Sequence, residues 1–64
     1  MRMDTDTYRN RRNRMPRGYG MWIFEMTTST GTETFTAIGM YSAARTQAMA
    51  AARNANATSV RVCE

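Results

Sequence analysis

Residues 19–28 read YGMWIFEMTT and residues 32–41 read TETFTAIGMY, two runs rich in aromatic and β-preferring side chains. Between them Ser29, Thr30 and Gly31 form a turn signal, with Gly31 free to take a positive φ. The pattern predicts a β-hairpin. An even loop puts Trp22, Phe24, Met26, Phe35, Ala37 and Gly39 on one face, which is wholly apolar. The other face carries Met21, Ile23, Ile38 and Met40 toward the open end, and Glu25 and threonines toward the turn. An odd loop without a bulge would mix Thr34 and Thr36 with the aromatics, so the even register is preferred. Its two-residue form sets Gly39 opposite Trp22 and leaves room for the indole.

The periodicity then changes. Residues 42–55, SAARTQAMAAARNA, suit a helix, with Ser42 as N-cap and alanine as the best helix former. Ala44, Ala48, Ala51 and Ala55 form one smooth stripe. Small alanines on the helix complement Trp22, Phe24 and Phe35 on the sheet. Asn54 or Asn56 is placed to end the helix in the left-handed conformation. Residues 59–63, SVRVC, predict a short third strand with Val60 and Val62 inward and Arg61 outward. It is expected beside the first strand and antiparallel to it. The expected fold is α+β: a small ββαβ domain over residues 18–64. Its three-stranded, mainly antiparallel sheet, order 2-1-3, carries one helix on one face and leaves the second strand's edge free.

Residues 1–17 lack sustained periodicity, and Pro16, Gly18 and Gly20 break what precedes them. They are expected to be a disordered, flexible basic arm with at most a transient helix at residues 5–14. All of the net charge lies here. The arm holds six arginines and two aspartates, giving +4, whereas residues 18–64 balance three arginines against three glutamates. The chain contains no lysine, so every side-chain cation is a guanidinium that can fork onto phosphate and stack on bases. The asymmetry points to a polyanionic partner. On this reading, removing residues 1–17 leaves the domain folded and abolishes binding.

The rest of the composition narrows the chemistry. Sixty-four residues support one domain with a marginal core. One cysteine, Cys63, and no histidine give neither an internal disulfide nor a zinc pattern. The usual nucleophile–base arrangements are missing. Glu25 and Glu33 fall on opposite hairpin faces, and no glycine-rich phosphate loop precedes the helix. The expectation is a non-enzymatic protein without cofactor or metal. No run approaches a membrane span, and the arginines lack the apolar run of a secretory signal, so the expected location is cytoplasmic. The unusual composition of a very short chain also suggests a viral, phage or mobile-element accessory protein.

Arg9, Arg11, Arg12, Arg14 and Arg17, with Tyr8 beside them, are the candidate nucleic-acid-binding residues, with RNA favoured slightly over DNA. Over Thr7–Arg14, TYRNRRNR resembles the arginine-rich motifs of lambdoid-phage antiterminator N proteins and lentiviral Rev proteins. That resemblance implies a short segment that turns helical in an RNA groove. Residues 35–55, FTAIGMYSAARTQAMAAARNA, faintly resemble the last strand and second helix of a double-stranded-RNA-binding domain. That family opens its helix with phosphate-holding lysines, where this chain has Ala43 and Ala44 and only Arg45 is cationic. The family's first helix is also missing. Six arginines on phosphates would give a log–log salt slope of roughly −4 to −5.

A second class of function rests on Met21, Ile23, Ile38 and Met40, an outward apolar cluster suited to an interface. It is expected either to lie under the folded-back arm or Tyr19 or to receive a host protein or a second copy of the chain, while an acidic protein is the alternative ligand of the basic arm. In that alternative the protein is a small inhibitor or adaptor acting through the sheet face and free edge by strand addition.

Overall fold

The computed structural model describes residues 1–64 and shows an α+β fold of two layers, a four-stranded mixed sheet with two helices. The elements in chain order are β1 (Met3–Asp4), α1 (Asp6–Arg12), β2 (Tyr19–Thr28), β3 (Gly31–Met40), α2 (Tyr41–Asn54) and β4 (Ser59–Val62). The sheet order is β1-β4-β2-β3. The hairpin, the long helix and the antiparallel place of β4 beside β2 match the sequence reading, and β3 is one edge of the sheet, the two-residue β1 being the other.

The arm departs from that reading. Met3 and Asp4 pair parallel with Val60 and Arg61, adding a fourth strand. Residues 6–12 form a helix whose Tyr8 is only 3% exposed, and Pro16 is also buried. The segment is ordered because it carries its own start, stop and anchor. The Asp6 amide donates to Asp4 Oδ1 at 2.9 Å, and Asn13 takes the left-handed conformation (φ 59°) that ends the helix. Tyr8 is the anchor: its ring lies 5.6 Å from that of Trp22.

Trp22 joins the two helices. Its ring meets Tyr8 of α1 on one side and Tyr41 of α2, at 4.9 Å, on the other. Its indole Nε1 donates to the Gly39 carbonyl at 3.0 Å. Both helices therefore cover the face that carries Trp22, Phe24 and Met26, which with Val60 and Val62 build the core. The opposite sheet face is bare of helix.

Three finer expectations are corrected. The hairpin register is displaced by two residues. Thr28 pairs with Gly31 around a turn of Ser29 and Thr30, so Trp22 lies opposite Ala37 and Gly20 opposite Gly39. A two-residue shift preserves both faces, so the apolar pattern could not distinguish the registers. The Thr28 hydroxyl, bonded to Thr30 and Gly31 in the turn, favours the observed one. The helix begins at Tyr41, and Ser42 lies inside its first turn rather than capping it, its carbonyl accepting from Thr46 Oγ1. Finally, the buried stripe is Ala44, Ala48, Met49 and Ala52, with Ala51 and Ala55 at its margin. Asn56, at φ 55°, supplies the expected left-handed residue after the helix.

Gly39 is needed for its backbone rather than for room. A Cβ there would meet nothing within 4 Å, but its φ is +146°. Gly39→Ala is therefore expected to cost about 1–3 kcal/mol through strain alone. Denaturant unfolding of the variant checks this; an unchanged midpoint would refute it.

Candidate nucleic-acid interface

The order of the N-terminal segment decides where its charges stand. Tyr8 faces the core, so the base-stacking role expected for it is corrected: its ring is spent on Trp22. At about 100° per residue, the helix ridge opposite Tyr8 carries Asp6 and Asn10. The arginines sit on the flanks. Arg9 Nη1 lies 3.7 Å from Asp6, and Arg11 Nη1 donates to Glu64 Oε1 at 2.9 Å. Both pairs are exposed, where such contacts contribute little.

Arg12, Arg14 and Arg17 are exposed and make no salt bridge. These three line one groove of about 160 Å³ together with Tyr19, Met21 and Glu64. Strand length explains the groove. β4 ends at Val62, opposite Phe24, and the following residues reach only as far as Ile23, where its amide donates to the Glu64 carbonyl at 3.1 Å. The start of β2 thus has no strand neighbour on that side, and the segment after α1 borders the gap. Tyr19, at its mouth, is 76% exposed. Tyr19 is a residue of this site that the charge pattern alone does not single out. Its aromatic side chain two residues after Arg17 was the available signal.

Of the predicted apolar cluster, Met21, Ile38 and Met40 are exposed, at 59%, 71% and 52%. Ile23 is half-buried beside the terminal strand, its carbonyl accepting from the Cys63 amide at 2.7 Å. The arm does not cover this cluster, because it packs on the helix side of the sheet through Tyr8.

Elsewhere the bare face is polar. Arg61 lies opposite Glu25 and holds its carboxylate through Nε at 2.9 Å and through Nη2. This bond raises the Arg61 pKa. Cys63 is free and half-buried, and burial followed by the Glu25 charge pushes its thiol pKa up. A raised thiol pKa disfavours the reactive thiolate. Burial also raises the Tyr41 pKa, partly offset by Arg45. Both groups hold their protons longer when folded than at their ordinary values of 9.0 and 10.0. Their contribution is complete below those values and is lost as pH rises through the higher folded ones. Stability is therefore expected to fall on the alkaline side, from about pH 9 upward. Thermal midpoints measured across pH 7–11 check this, and a rising midpoint above pH 9 would contradict it.

No group of three or more histidine, cysteine, aspartate or glutamate side chains is placed to hold a metal ion, and no helix is long and apolar enough to cross a membrane. In comparisons with known proteins the chain matches no family model, no curated protein and no solved structure.

Proposed function

We propose that this chain is a small non-enzymatic nucleic-acid-binding protein, with RNA preferred slightly over DNA, that grips phosphates with Arg12, Arg14 and Arg17. The observation that carries this reading is the gathering of three exposed, unpaired guanidiniums around one groove. Arg9 and Arg11 stand on the same helix and add to the positive field while keeping their carboxylate partners, Asp6 and Glu64. The near-neutral remainder of the chain leaves this side as the one strongly attractive to a polyanion. The test is the affinity of the intact chain and of the Arg12→Ala/Arg14→Ala/Arg17→Ala variant for a labelled RNA at several salt concentrations. Affinity and salt slope that are unchanged in the triple variant would refute the reading.

A second reading is favoured by a separate observation. β3 is a ten-residue edge strand whose only charged residue is Glu33, and Ile38 and Met40 on it are exposed beside Met21. Long, weakly charged edges invite strand pairing. In this reading the protein is an interaction module, a small inhibitor or adaptor, whose β3 accepts a strand from a protein partner or a second copy. Ile38→Asp, at a position 71% exposed, is expected to leave the fold intact and abolish any concentration-dependent dimer seen by sedimentation. A wild-type chain that sediments as a monomer at all concentrations removes the self-pairing form. Ile23 is unsuitable for this test because it packs against the terminal strand.

A further inference from the structure

We propose that the groove between the end of α1 and the start of β2 takes a single-stranded polynucleotide, with phosphates on Arg12, Arg14 and Arg17 and an unpaired base on Tyr19. This rests on the nucleic-acid reading above and specifies the form of nucleic acid. The first ground is the way α1 is docked. A helix that reads a duplex groove must offer its cations on an outer ridge. Here Tyr8 fixes the inner side, and the outer ridge presents Asp6, 78% exposed, and Asn10. That ridge therefore presents no cation to the phosphates of a duplex groove. The same docking separates this site from an arginine-rich segment that folds only inside RNA, since α1 already has the Asp4 bond at its start, the left-handed Asn13 at its end and Tyr8 in the core.

The second ground is the mouth of the groove. Tyr19 is 76% exposed and Met21 59% exposed. Both lie on the bare face of β2, next to the cations rather than remote from them. An aromatic face offered to solvent beside guanidiniums matches the recognition of unstacked bases, each of which carries a free π-face. In a duplex those faces are already occupied by neighbouring bases. The groove, at about 160 Å³, has space for a few nucleotide atoms along the strand edge.

The experiment uses the full chain and three labelled probes in fluorescence anisotropy at one salt concentration. They are a single-stranded RNA of about twelve nucleotides, DNA of the same sequence and the blunt RNA duplex. Both single strands are expected to bind more tightly than the duplex. Tyr19→Ala is expected to weaken the single strands roughly 5- to 100-fold while leaving duplex affinity unchanged, and Tyr19→Phe to retain the wild-type value. Circular dichroism of each variant confirms the fold, which an exposed side chain should not disturb. Duplex binding equal to or tighter than single-strand binding overturns the inference and leaves the nucleic-acid reading standing. So does a Tyr19→Ala change that alters all three probes alike or none. Failure of all three probes to bind overturns both.

Discussion

Tyr8→Ala is expected to remove much or all of the protein's stability. Tyr8 is 3% exposed and packs against Trp22, the ring on which both helices meet. Removing a buried aromatic ring costs about 3–5 kcal/mol, the lost transfer energy and the cavity together. A domain of this size has a total stability of only about 3–10 kcal/mol. The loss therefore consumes much or all of the margin. Deleting residues 1–17 removes Tyr8, the buried Pro16 and the Met3–Val60 pairing at once, and is expected to give an unfolded chain. This reverses the expectation that the basic segment is dispensable for folding. Denaturant titration followed by Trp22 fluorescence measures it. A Tyr8→Ala variant with a wild-type midpoint would show that α1 is not part of the core.

The second large effect concerns salt. If all six N-terminal arginines met phosphates, the slope of log affinity against log salt would be roughly −4 to −5. The ordered site is expected to give a smaller value. Arg9 and Arg11 already have carboxylate partners, and Arg2 precedes β1, outside the groove. Three phosphate contacts on a single strand correspond to a slope of roughly −2. The Arg12→Ala/Arg14→Ala/Arg17→Ala variant should bring the slope close to zero and reduce affinity most strongly at low salt. The three side chains are exposed and unpaired, so stability should change little. A wild-type slope near −5 would mean that the whole segment wraps the ligand, as a flexible arm would.

The hairpin and the α2–β4 unit were readable because their signals are local or periodic. Trp22, Phe24 and Met26 alternate, Val60 and Val62 alternate, and the alanines repeat at helical spacing. Register within the hairpin was not readable, since a shift of two keeps every residue on its face. The order of the N-terminal segment was hidden for a different reason. Its helix signals, Asp4 before α1 and Asn13 after it, are present, but only Tyr8 faces the core from that helix, so no apolar stripe announces it. A single aromatic ring, placed by a long-range contact with Trp22, outweighed the polarity of the segment around it. The candidate site followed the same pattern. Arg12, Arg14 and Arg17 were legible as charge, while their gathering around Tyr19 depends on where β4 stops, a tertiary fact. The glutamate partners of Arg11 and Arg61, Glu64 and Glu25, likewise come from distant parts of the chain.

The most direct test is a two-dimensional amide NMR titration of the intact chain with a single-stranded RNA. Dispersed, helical shifts are expected for residues 6–12 before any ligand is added. Addition should then perturb Arg12, Arg14, Arg17 and Tyr19 most strongly, with Ile38 and the β3 edge unmoved. Random-coil shifts over residues 1–17 that disperse only on adding RNA would contradict it, as would perturbations confined to β3.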